Sequence, residues 1–238
     1  MSADHVLRID ISNAAIRNAI NPDTIRKVLD QLALAANEVH RVIVFESTGP
    51  AFCAGADLRW LQREIQSVGV GGTVDVSLLG DLFAAIRDCP IPTVARVQGS
   101  AFGAGVALVA SCDFAIALEP AEFALSELRF AIRPDVVVAS IGRRVGWTNL
   151  RRWTLAAEAV SASRALSAGL LSEISDDLDG ALRALIDRLV RLPPGAVRAW
   201  KRSLLRYEAE TPIPRCDAFP VTSETLAALS SVGIAPQD

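Results

Sequence analysis

Hydrophobic and polar positions alternate from Val6 to Ser12 as they do in a half-buried strand, and Asn21-Pro22 then opens an apolar-periodic stretch that predicts a helix to about Glu38. Val42 to Glu46 reads as the next strand. A short helix is expected near Leu58 to Ile65, a glycine-rich connection from Gly69 to Gly72, and a longer helix from Val76 to Cys89 that Pro90 and Pro92 bring to an end. Thr93 to Val97 is a strand, Gly103 to Cys112 a helix, Phe114 to Leu118 a strand and Phe123 to Leu125 a short extended piece. This alternation means an α/β fold. Beyond Pro134 the β-branched runs fade and helical patterns follow over Val136 to Val145, Thr148 to Ala157, Ser161 to Ala168, Leu178 to Leu192, Ala196 to Glu210 and Asp217 to Ser231. Pro193-Pro194-Gly195 and Thr211-Pro212-Ile213-Pro214 separate the last of these.

At 238 residues with 51% hydrophobic positions, the chain has ample material for a large buried core. Its 24 basic and 27 acidic residues nearly balance, which gives no electrostatic reason to expect nucleic acid or an anionic membrane as partner. The apolar run Gly99 to Leu118 is interrupted by Asp113, which argues against a membrane span. Met1 to Asp10 is charged and alternating, unlike a signal peptide, and the four cysteines Cys53, Cys89, Cys112 and Cys216 show no paired spacing. A reducing, cytoplasmic setting is expected. With only His5 and His40 and scattered cysteines, no metal-ligand set is expected either.

Two segments about fifty residues apart carry the strongest chemical signal. Phe52-Cys53-Ala54-Gly55-Ala56-Asp57-Leu58 leaves no bulk to keep a ligand off its main chain, and Gly103-Ala104-Gly105 opens a helix whose first N–H groups have no partner inside it. Converging on one carbonyl, such amides make an oxyanion hole, in which each donor is typically worth about 2.7–4 kcal/mol of barrier. A dinucleotide reading of Gly103-Ala104-Gly105 fails, because Leu108 stands where a third small residue is needed.

The Ala54-Gly55-Ala56-Asp57 segment followed by the Gly103-Ala104-Gly105 helix start resembles the crotonase (enoyl-CoA hydratase/isomerase) superfamily over the whole chain. Arg17-Asn18-Ala19-Ile20-Asn21, Cys112-Asp113, the stretch from Phe123 to Pro134 and that from Ala165 to Leu171 add to the likeness. The resemblance implies a spiral of ββα units over residues 1–190 that binds an acyl-CoA thioester, and a helical region over 191–238 that builds homotrimers or hexamers. It implies no resident cofactor, since CoA is part of the substrate. It also makes the amides of Ala56 and Ala104 the two oxyanion donors, with Ala54, Ala56, Asp57 and Leu58 beside the thioester and adenine. Arg17, Arg59 and Lys201 become candidates for the CoA phosphates, though each could equally be a solvated surface charge.

A thioester held this way has an acidified C–H and needs a base. Glu127, fourteen residues after Asp113, matches the family's catalytic glutamate. Hydratases carry a second glutamate six residues before the aspartate corresponding to Asp113, where this chain has Ala107. Hydration is shared well by two carboxylates, whereas moving a double bond needs one, so the departure tilts the expectation toward an isomerase. Asp135 lies where related dienoyl-CoA isomerases and dehalogenases hold an aspartate, and it equally suits a helix first turn. Hydration with Asp135 as a substitute acid, or non-catalytic binding of acyl-CoA, are the alternatives left open.

Overall fold

A computed structural model describes residues 5–35, 39–209 and 218–231. The strands are β1 (Val6–Asp10), β2 (Val42–Glu46), β3 (Ala51–Cys53), β4 (Thr73–Asp75), β5 (Thr93–Val97), β6 (Ser100–Phe102), β7 (Phe114–Ala117), β8 (Glu122–Ala124), β9 (Val160–Ser161), β10 (Glu173–Ile174) and β11 (Ala218–Pro220). The helices are α1 (Pro22–Ala35), α2 (Leu58–Val68), α3 (Ser77–Asp88), α4 (Ala104–Ser111), α5 (Asp135–Ala156), α6 (Ala162–Ser167), α7 (Leu178–Val190), α8 (Pro194–Ala209) and α9 (Ser223–Ser231).

The ββα rhythm comes from how successive strands are shared between two sheets. The first strand of each pair, β2, β5 or β7, joins a five-stranded parallel sheet in the order β1-β2-β5-β7-β10. The second, β3, β6 or β8, joins a smaller sheet in the order β3-β6-β8-β9, parallel except for the last pairing. Each repeat thus turns the chain once and advances it by one strand. Alternate residues of the large sheet serve two cores, as the period of two requires. Ile43, Phe45 and Ala95 face the main core, while Val42, Val44, Val94 and Ile116 are covered by Leu178, Leu182, Leu185 and Ile186 of α7. A parallel sheet buried on both faces explains the nearly unbroken apolar runs at β2 and β5.

The long pattern after Pro134 is broken where the sequence places it: α5 contains Gly146 in a non-helical conformation, φ 74° and ψ 158°. One expectation needs correction. The segment entered as a helix from Asp217 contains strand β11, antiparallel to β4, and α9 begins at Ser223; Asp217 itself, like Glu38 and Glu210, lies outside the described residues. No helix among the described residues is long and apolar enough to cross a membrane.

Lys201 of α8 ties the C-terminal helices to the large sheet. Its Nζ donates to Asp113 at 2.6 Å and to the Ile91 carbonyl at 3.1 Å, and the same Asp113 oxygen accepts from Thr93 N and Thr93 Oγ1. Lys201 is only 7% exposed. Removing its counter-charge strands a buried ammonium, whereas Lys201→Met leaves an apolar chain in the same space and an Asp113 still held by Thr93. We predict a loss of about 1–3 kcal/mol for Asp113→Asn and a smaller one for Lys201→Met, read from urea unfolding midpoints. Equal losses in the two variants would contradict the pairing.

Candidate active site

The two backbone loops meet because α4 starts directly against the end of β3. A Cβ at Gly105 would lie 2.7 Å from the Cys53 carbonyl oxygen, so only glycine lets the first turn of α4 come this close. On the first loop, the parallel bridge between Ile20 and Ala56 uses the Gly55 carbonyl and the Asp57 amide: Ile20 N donates to Gly55 O at 2.7 Å and Asp57 N to Ile20 O at 2.8 Å. In a parallel ladder this leaves the N–H of Ala56 directed away from Ile20. On the second loop, Gly103 donates to the Ala124 carbonyl, and Ala104 is the first residue of α4, whose N–H has no acceptor four residues back. Neither the Ala56 nor the Ala104 amide has an acceptor among the described residues.

Both loops line one cavity of about 190 Å³. Ala54, Gly55, Ala56, Phe102, Gly103 and Ala104 form one wall, and Leu58, Leu61, Val76, Leu79, Phe130, Ile132, Val136 and Val137 make the rest mainly hydrocarbon. Glu127 enters from a 3-10 turn, Glu127–Phe130, that follows β8. Three contacts fix this turn. Ile132 N donates to Glu127 O at 3.1 Å, the Arg129 guanidinium to the Ala157 carbonyl, and the buried Thr225 Oγ1 of α9 to Ala131 O at 2.8 Å. The carboxylate lies against Gly103, which sits at φ 47°, and a Cβ there would be 2.8 Å from Glu127 Oε1. Glu127 Oε2 is buried with no hydrogen-bond partner. Burial disfavours the anion and, against a smaller lowering by the residue's own backbone N–H, pushes the Glu127 carboxyl up to about 7. Among the described residues it is the only carboxylate lining the cavity, and Ala107 is wholly buried in α4 outside that wall.

The other sequence candidates separate. Ala54, Ala56 and Leu58 line the cavity. Asp57 is a helix cap, its Oδ1 accepting from Arg59 N at 2.9 Å. The exposed side chains of Arg17 and Arg59 lie outside the wall, although Arg17 O accepts from Ala54 N and Arg59 opens α2, so both backbones adjoin the first loop. Two further candidates are held by partners outside the cavity wall. Asp135 does not line the cavity: as the first residue of α5 it forms a two-pronged ion pair with Arg133, at 2.9 and 3.0 Å. The Lys201 ammonium is engaged by Asp113 and the Ile91 carbonyl, away from the cavity wall. No local pattern marks Thr225, whose link to Ala131 spans ninety-four positions. Cys53, beneath the first loop, is a free buried thiol that burial pushes up to about 12.

A model of the enoyl-CoA hydratase/isomerase family matches residues 2–216. The chain belongs to this family. Among its curated relatives is the bacillaene synthase dehydratase PksH of Bacillus subtilis, 30% identical over 78% of this chain and 71% of that protein. The 2,3-dehydroadipyl-CoA hydratase of Escherichia coli is 31% identical over 84% and 78%. Among solved structures, an enoyl-CoA hydratase from Shewanella pealeana superposes with a TM-score of 0.79 at 29% identity, covering 96% of this chain and 83% of that one. The family's spiral and its acyl-CoA chemistry therefore frame the cavity.

The raised Glu127 carboxyl makes a stability prediction with a definite sign. Because the folded state binds the proton more tightly than the unfolded chain, the group's stabilising contribution is full below its ordinary value of 4.5 and is lost as pH rises through about 7. Glu127→Gln has no such loss. The melting temperature of Glu127→Gln should therefore rise relative to wild type between pH 4.5 and 8; a difference independent of pH would show that Glu127 is not held in an uncompensated site.

Proposed function

We propose that this enzyme moves the double bond of an enoyl-CoA thioester, with Glu127 as the one proton carrier and the amides of Ala56 and Ala104 as the oxyanion hole. The observation that carries this reading is the lone carboxylate: among the described residues Glu127 faces the cavity with no second acid beside it, and Ala107 occupies the position at which a hydratase places one. In its ionised form Glu127 takes a proton from C2 of a 3-enoyl thioester. The electrons move into a dienolate whose C1 oxygen the two amides hold. The same carboxyl, now neutral, returns the proton to C4, leaving a double bond between C2 and C3 and regenerating the anion. A carboxyl at about 7 has both forms populated near neutrality, as a group that acts as base and then acid requires. The apolar wall keeps water from quenching the dienolate and strengthens the two amide contacts.

Hydration would need a water held and deprotonated while a proton reaches carbon, and the cavity offers one carboxylate for both tasks. The names of the relatives favour hydratases, so the two activities must be compared directly. Isomerisation of a 3-enoyl-CoA should exceed hydration of crotonyl-CoA, followed by absorbance and mass in the same preparation. Ala104→Pro tests the hole, since proline is tolerated at the first position of a helix but has no N–H. A folded Ala104→Pro enzyme should lose roughly 10²–10³ in turnover. Faster hydration than isomerisation in the wild type would overturn the single-base reading.

A further inference from the structure

A second cavity, of about 120 Å³, lies at the opposite end of α4 from the two loops and shares no lining residue with the first. Its wall brings together Arg87, Arg143, Arg144 and Lys201 with two carboxylates, Asp113 and Glu208. Lys201 is matched by Asp113. Arg144 is bound by dipoles alone: its Nε donates to Gly169 O and its Nη1 to Cys112 O and Asp113 O, each at 3.0 Å, which orients the guanidinium without neutralising it. Arg143 is the least satisfied of the four. Its Nε is buried with no acceptor, and its Nη1 is 3.7 Å from Glu208, too far for a hydrogen bond. Arg87 pairs with Asp88, which lies just outside the wall and offsets one of the two surplus positive charges. Between them sits Ser140, 7% exposed. Its Oγ lies 3.0 Å from Ser111 Oγ, which also has the Ala107 carbonyl at 2.7 Å, so the two hydroxyls are satisfied within the protein.

We propose that this second cavity binds a small oxyanion of the phosphate or carboxylate class, with Arg143 and Arg87 as its donors. A buried guanidinium nitrogen without an acceptor among the described residues calls for a ligand that accepts hydrogen bonds, and the excess of positive charge selects an anion. An apolar ligand would leave that donor stranded, and a cation would meet net positive charge. The cavity is far too small for a polymer, so the ligand is a free ion or a single acidic group. The site is independent of the acyl-CoA reading, because the two cavities adjoin opposite ends of α4.

The test is titration calorimetry of the full chain with inorganic phosphate and, separately, with acetate, at constant ionic strength in chloride buffer. Saturable binding of either anion at about 1 mM or tighter is expected, and the anion preferred identifies the source. Arg143→Gln and Arg87→Gln should each weaken it by about 10-fold or more, while crotonyl-CoA affinity stays at the wild-type value. Should Arg143→Gln fail to fold, Arg87→Gln carries the same expectation. The proposal is overturned if neither anion saturates, if no folded variant weakens the binding, or if crotonyl-CoA competitively displaces the anion, which would assign it to the substrate cavity.

Discussion

The close approach of α4 to the end of β3 is the contact on which the candidate site depends. Gly105 permits it, since any side chain there would meet the Cys53 carbonyl at 2.7 Å. The same approach sets the free amide of Ala104 in the wall that Ala56 shares, and it brings Gly103 against the Glu127 carboxylate. The spiral makes such an approach repeatable, because it feeds the second strand of each pair, β3, β6 and β8, side by side into one small sheet. Loops far apart in sequence then leave adjacent strand ends together.

Glu127 shows what that arrangement does to a side chain. In water a carboxylate gains hydration from every direction; in this cavity its Oε2 has no partner among the described residues and the wall around it is mainly hydrocarbon. Holding it there requires a rigid turn, and the contacts that supply rigidity come from distant elements: Ala157 at the end of α5 and Thr225 in α9. The C-terminal helices thus brace the site through its backbone. Lys201 does the same for the far side of the fold by joining α8 to Thr93 and Asp113.

Much of this was legible in the chain. The strands over Val42–Glu46 and Thr93–Val97 are found where a nearly unbroken apolar, β-branched run predicts them, because burial on both faces leaves few polar positions in them. Gly146 marks the break in α5 for the reason glycine usually does, a positive φ. The two- and three-residue strands β4, β6, β9, β10 and β11 carry no pattern of their own and exist through the neighbours that pair with them. Asp135 and Lys201 were each read from local motif, and each is explained by a partner: Arg133 two residues away and Asp113 eighty-eight away. The small residues of the loops and the position of Glu127 are local and could be read. The braces on Glu127, the emptiness around its Oε2 and the second cavity arise only from long-range packing.

The central claim is that one carboxyl, Glu127, carries the proton. Its most direct measure is solvent-deuterium incorporation into a 3-enoyl-CoA thioester, followed by mass spectrometry for wild type and Glu127→Gln, with thioester affinity measured in parallel. Wild type should place deuterium at the α or γ carbon, and Glu127→Gln should bind the thioester as before yet incorporate none. Incorporation by Glu127→Gln at the wild-type rate would contradict the account, as would the absence of exchange in both proteins.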